Sequence, residues 1–172
     1  MKFLKLNFLA LGLAALKLSG SIAFGAETVS KTETFSDWAL YADDKTPHLF
    51  CFVASEPKSS EPKAATRDAP HLYISAWPKD GVKAEISFRM GFPVKSASEP
   101  VVKVGDAPFK LFAAEDRIYV KDATQELKLV DAMKKGSNLT AAVTSERGTA
   151  ITDTYSLSGL GQAMGRLQSE CF

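Results

Sequence analysis

The fold is decided in His71-Leu72-Tyr73-Ile74-Ser75-Ala76-Trp77-Pro78-Lys79-Asp80-Gly81-Val82-Lys83-Ala84-Glu85-Ile86-Ser87-Phe88-Arg89-Met90. Successive side chains of an extended chain point to opposite faces, so a period of two marks a strand with one face in the core. Ala84, Ile86, Phe88 and Met90 share one such face, and Glu85, Ser87 and Arg89 share the other. Leu72, Ile74 and Ala76 likewise oppose Tyr73, Ser75 and Trp77. Between the two runs, Pro78-Lys79-Asp80-Gly81 supplies Asp-Gly turn chemistry, so the stretch is a hairpin.

The pattern extends in both directions. Residues 49–54 are apolar on both faces, as in a central strand covered on both sides. Further short runs over residues 35–41, 109–112, 117–121, 139–144 and 149–157 read as strands, with Glu146-Arg147-Gly148 turning between the last two. About eight strands at this spacing predict a mainly β fold, an antiparallel β-sandwich or a barrel-like domain, and periodicity does not choose between them. Residues 130–135 form a short internal helix that stops at Gly136. A C-terminal helix spans about residues 159–170, where Leu157, Leu160, Met164, Leu167 and Cys171 make one apolar stripe and Ser158 is the expected N-cap. The segment 55–70 opens with Ser-Glu-Pro-Lys twice over. Its Pro, Ser and Lys cannot build a core, which predicts an exposed, mobile loop.

The chain has 172 residues, 45% of them hydrophobic, which suits one domain of ordinary globular composition. Its first residues run from Lys2 and Lys5 through an apolar stretch at 8–16 to small residues near Ala26, the order of a secretory signal. Residues 1–26 are therefore read as a signal peptide, with cleavage after Ala23 or after Gly25, and residues 27–172 as a single β-rich domain. Ser21 stands where a lipidated cysteine would have to be, which argues against a lipid anchor. Removing the signal takes away Lys2, Lys5 and Lys17 and no acidic residue, so a formal charge of +1 becomes −2. That balance gives no reason to expect nucleic acid, and no later segment is apolar enough to span a membrane.

Few residues offer chemistry. Cys51 lies in the most buried of the expected strands and Cys171 on the apolar stripe of the last helix. In an exported chain a disulfide between them is the natural reading, with two separate buried thiols as the alternative. His48 and His71 are 23 residues apart without an acidic or thiolate partner at ligand spacing, so no metal site is expected. Gly159-x-Gly161-x-x-x-Gly165 resembles a nucleotide-binding turn, but the second strand and acidic residue of that fingerprint have no room after it. These glycines are expected to let the helix pack closely on a sheet. Asp153 shares a face with Ile151, Tyr155 and Leu157, and an inward carboxylate needs a cation, for which Arg117 and Arg147 are candidates. Asp153 is thus a candidate for a structural ion pair. No catalytic, cofactor-binding or metal-ligating residue is assigned.

Several of these stretches together resemble the invasion-associated locus B family of exported bacterial proteins. They are Cys51-Phe52-Val53-Ala54-Ser55-Glu56-Pro57, Tyr73-Ile74-Ser75-Ala76-Trp77-Pro78, and the strand from Glu85 to Gly91 leading into Phe92-Pro93. The fullest is Glu146-Arg147-Gly148-Thr149 running through Thr152-Asp153-Thr154-Tyr155-Ser156-Leu157-Ser158-Gly159-Leu160, closed by Cys171. Many members of the family carry a further cysteine shortly after the first tryptophan. Trp38-Ala39-Leu40-Tyr41 has none, which implies a subgroup with a single Cys51–Cys171 bridge. The resemblance implies a mainly β, periplasmic or outer-membrane-associated protein, linked to invasion of host cells or persistence in them. It does not imply an enzyme. The expected role is a non-enzymatic interaction protein whose partner is a protein of the envelope or of a host cell. The alternative is a periplasmic small-ligand-binding or envelope-maintenance domain with a pocket between its sheets.

Overall fold

A computed structural model describes residues 29–42, 50–63 and 66–172. The signal read over residues 1–26, together with His48 and Leu49, lies outside the described residues.

The hairpin forms β5 (His71–Trp77) and β6 (Val82–Arg89), joined through a 3-10 turn at Pro78–Asp80 and Gly81 at φ +70°. Around it are β1 (Ser30–Phe35), β2 (Trp38–Ala42), β3 (Cys51–Ser55), β4 (Ser59–Glu61), β7 (Val101–Val104), β8 (Ala107–Ala114), β9 (Arg117–Val120), β10 (Asn138–Thr144) and β11 (Ala150–Ser156). All pairings are antiparallel, in the order β1-β2-β3-β5-β6-β9-β8-β7-β10-β11-β4. The expectation of about eight strands and of a possible barrel is corrected on both counts. The described residues form eleven strands, and the ladder is open, with β1 and β4 as unjoined edges. The run at 35–41 is two elements, because Ser36 at φ +52° turns the chain between β1 and β2.

β8 is the strand on which the ladder turns. Ala107–Lys110 pair with β7, whereas Leu111–Ala114 pair with β9. A strand shared in this way carries the chain from one pleated face to another. The two halves then meet over one core. Phe88 of β6 packs edge-on against Tyr155 of β11 at 5.8 Å, and the Trp38 indole N–H donates to the Ser156 carbonyl at 3.1 Å. Leu72, Ile74, Ile86, Phe88, Leu139, Ala141 and Tyr155 are all fully buried, as the alternation of each strand requires. Burying one large aliphatic or phenyl side chain contributes about 1.5–3 kcal/mol, so this shared interior is what offsets the entropy of ordering so many short strands.

The helix α1 (Ala123–Lys135) is longer than the expected 130–135 because Asp122 caps it, accepting the Gln125 N–H at 2.9 Å. It buries Leu129, Val130 and Met133. Glu126 fastens it to the sheet by accepting the Ile86 N–H at 2.6 Å, and burial raises that carboxyl's pKa. The helix α2 (Leu160–Cys171) buries Leu160, Ala163, Leu167 and Cys171, and the Cys171 sulfur is bonded to that of Cys51. Met164 is only partly buried. Gly159, not Ser158, occupies the N-cap, at φ +88°. A Cβ on Gly159 would sit 2.0 Å from the Phe35 carbonyl oxygen, so the β1–β2 turn and α2 approach as closely as they do only over glycine. Gly161 and Gly165 have no neighbour at such a distance, so the close packing expected of all three glycines belongs to Gly159 alone.

Candidate functional site

The expected mobile loop at 55–70 holds an ordered part. Its described residues are largely exposed, but Ser59–Glu61 extend the ladder beyond β11 and Arg67 dips inside. There it meets Asp153, whose side chain is 0% exposed against 6% for Arg67. This corrects the expected partners of Asp153. Arg147 stays exposed, and Arg117 lies 5.3 Å over the Tyr73 ring on another face.

The pair is bidentate. Arg67 Nη1 donates to Asp153 Oδ2 at 2.9 Å and to the Met90 carbonyl at 2.9 Å, while Nη2 donates to Asp153 Oδ1 and, at 2.8 Å, to Ser60 Oγ. Ser60 in turn donates to Asp153 Oδ1 at 2.7 Å. Two buried charges are stable only when their remaining lone pairs and protons are satisfied, and here they are. The cluster joins β4, the loop, the end of β6 and β11 into one rigid block.

Above this block lies a groove of about 650 Å³. It is lined by Pro62, Thr66, Phe92, Pro93, Glu146, Arg147, Thr149 and Ile151, and the Glu146 N–H donates to the Pro93 carbonyl at 2.8 Å, which joins the two turns that supply most of it. The geometry follows from two tight turns. Gly91 at φ +74° lets the chain leave β6 against the Asp68 carbonyl, where a Cβ would come within 2.0 Å. Gly148 at φ +85° closes the β10–β11 turn, with Gly148 N–H donating to the Ser145 carbonyl at 2.8 Å. The Arg67 guanidinium lies 5.5 Å from the Phe92 ring centre, so the buried pair also fixes the groove's aromatic wall. A second hollow of about 670 Å³ adjoins it across Pro93 and Glu146 and adds Lys95, Glu115 and Asp116.

The lining presents one ring, two prolines, hydroxyls and a few surface charges. Ser145 Oγ is engaged with the Thr149 N–H at 3.1 Å. Among the described residues no three His, Cys, Asp or Glu side chains converge as metal ligands would. His71 stacks on Tyr73, with its Nε2 3.4 Å from Glu56. Trp38 is 1% exposed in the core, so it offers no platform between the two halves, and Trp77 stacks against Phe50 at 4.1 Å.

Beside Asp153 the Tyr155 hydroxyl is buried without a hydrogen-bond partner among the described residues. Burial first, and the Asp153 charge second, hold that phenol protonated far above its ordinary range. Leaving a buried polar group unsatisfied costs about 1–3 kcal/mol. Tyr155→Phe keeps the ring against Phe88 and removes the hydroxyl, so its urea midpoint is expected to equal or exceed that of the unmodified protein. A clear fall in midpoint would show that the hydroxyl has a stabilising partner.

Sequence missed Arg67 because it lies among turn formers, 86 residues from Asp153. The inward face of Asp153 demanded a cation, but nothing local distinguished one arginine from another.

Comparison with known proteins bears on the same segments. The family model described as "Invasion associated locus B (IalB) protein" matches residues 38–168. No curated protein matches the chain. Among solved structures it is similar to the crystal structure of invasion associated protein b from Bartonella henselae, at 18% identity and a TM-score of 0.58, over 81% of this chain and 97% of that one. At that identity the likeness establishes the fold alone.

Proposed function

The chain belongs to the invasion associated locus B family, and from that premise we propose an exported, non-enzymatic interaction protein of the bacterial envelope that seats a protein partner in the Phe92–Arg147 groove. The groove itself carries the reading. Its lining comes from two turns, Gly91-Phe92-Pro93 and Glu146-Arg147, joined by the Glu146 N–H donating to the Pro93 carbonyl at 2.8 Å, and the buried ion pair holds the Phe92 ring through Arg67. Such pre-organisation lowers the ordering cost that binding must overcome. Export is supported by the Cys51–Cys171 bridge, since disulfides persist in oxidising compartments. The family's description ties the role to invasion, which makes a periplasmic or outer-membrane-associated site facing envelope or host-cell proteins the natural setting.

The test is capture from two extracts, one of the bacterial envelope and one of host-cell surfaces, using the exported protein and its Arg147→Glu variant. Arg147 is exposed, so its replacement leaves the fold intact while reversing the charge on one wall. The expected result is a specific protein retained by the unmodified chain and lost with Arg147→Glu. Equal retention by both, or nothing retained from either extract, would overturn the assignment.

A further inference from the structure

The last strand is only partly covered on its outer side. β10 pairs with all of β11, from Thr144 opposite Ala150 to Asn138 opposite Ser156, whereas β4 reaches only Thr152, Asp153 and Thr154. β4 ends at Glu61, and Pro62 has no N–H with which to continue it. Toward Ser156 the edge is taken, since the Lys58 N–H donates to the Thr154 carbonyl at 2.7 Å and the Trp38 indole to the Ser156 carbonyl at 3.1 Å. Toward Ala150 it is open.

The ladder fixes which way the backbone points at that open end. Opposed residues of an antiparallel pair alternate between bonding to each other and turning their groups outward. The Ser145 N–H donates to the Thr149 carbonyl at 2.9 Å, so the next pair, Thr144 and Ala150, turns outward. Two bonds agree with that alternation. The Thr144 carbonyl accepts the Lys95 N–H at 2.9 Å on the far side of β10, and Thr154, in step with Ala150 along β11, accepts from Lys58 on the β4 side. Ala150 therefore directs its N–H and C=O past the end of β4. It is exposed, and these groups have no hydrogen-bond partner among the described residues.

The free edge borders the groove. Thr149 and Ile151, one residue either side of Ala150, point to the opposite face from it, and both line the groove with Pro62 and Phe92. A chain laid along Thr149–Ile151 in line with β4 exchanges hydrogen bonds with Ala150. Its residues before and after that point then turn into the groove beside Ile151 and Phe92. An extended polypeptide carries a donor and an acceptor on one edge at every second residue, which is the pattern that Ala150 leaves unmet. The ring, the isoleucine and the proline suit apolar side chains at those two alternate positions.

We infer that the groove takes its partner as an extended segment, added antiparallel to the free end of β11 with two alternate apolar side chains seated in the groove. This rests on the groove reading and specifies what the partner presents there.

Calorimetry and amide NMR of the exported protein test it, with acetylated and amidated heptapeptides Ser-Thr-X-Thr-X-Thr-Ser as probes, where X is Leu, Val or Phe. At least one is expected to bind with a Kd of about 1 mM or tighter. It should shift the amides of Ala150 and Ile151 and slow hydrogen exchange at Ala150. Methylating the three Thr nitrogens of that peptide should weaken binding about tenfold or more, whereas methylating the two X nitrogens, which face away from β11, should leave it unchanged. Ala150→Pro should also weaken binding about tenfold while leaving the melting midpoint in place, because proline is tolerated where the N–H faces an open edge. If Ala150→Pro fails to fold, the two methylated peptides decide on the unmodified protein. No binding by any peptide, equal binding by the two methylated forms, or shifts confined to residues away from 149–151 would overturn the inference. Self-association of the protein that Ala150→Pro abolishes would overturn it as well, by making a second copy the occupant. In each of these cases a partner captured by the unmodified chain and lost with Arg147→Glu still upholds the groove reading, so the two can fail separately.

Discussion

Replacing Asp153 by alanine is expected to cost about 3–5 kcal/mol, which for a chain of this size lowers the melting midpoint by roughly 6–20 °C. The magnitude comes from what remains. Arg67 is 6% exposed and would keep its charge with only the Met90 carbonyl and Ser60 to face it. Removing one partner of a buried pair therefore costs far more than the pair itself contributes. Arg67→Met should be comparably damaging, because it strands the carboxylate. Asp153→Leu combined with Arg67→Met should recover much of the loss, since two apolar side chains replace two desolvated charges. Circular dichroism melts of the two single variants and the double variant check this. An unchanged midpoint in Asp153→Ala would mean that the pair is not buried in solution.

The second large effect belongs to the Cys51–Cys171 bridge. It closes a loop with a sequence separation of 120. Chain-entropy reasoning then gives about 4–5 kcal/mol for its removal. Cys51→Ala with Cys171→Ala should lower the urea midpoint accordingly, and addition of reductant to the unmodified protein should reproduce the shift. Both cysteines are buried, so the alanines also leave a small void, and the reductant experiment separates the covalent contribution from the packing one. Thiol titration of the denatured, unreduced protein is the direct check. Two reactive thiols would eliminate the bridge.

Strands whose neighbours cover one face were legible from composition alone. β5 has the bounds that alternation indicates, His71–Trp77, because each inward residue is apolar and Pro78 ends the run. The three strands that went unread share a different physics. β1, Ser-Lys-Thr-Glu-Thr-Phe, is an edge strand exposed almost throughout and has no core face to record. β4 is three polar residues held by its neighbours, and β7 is only four residues long. The start of α1 did have a local sign, Asp122 three positions before Gln125, which the exposed Leu127 obscures by breaking the apolar stripe. At the site, the inward turn of Asp153 could be read from Ile151 and Tyr155 beside it. The partner cation and the groove walls could not, because they depend on which distant turns the ladder brings together.

The open ladder also governs how the chain reaches its native state. β4 is an early segment seated beyond β11, the last strand, and Ser60 and Asp153 are separated by 93 residues. Contacts of such sequence separation must close long loops before they are rewarded, which places mainly β chains among the slow folders. Until Ser59–Glu61 dock, the outer edge of β11 offers unpaired backbone groups to any other chain. Refolding is therefore a race between the molecule's own edge strand and a neighbour's, and crowding of unfinished chains decides its yield.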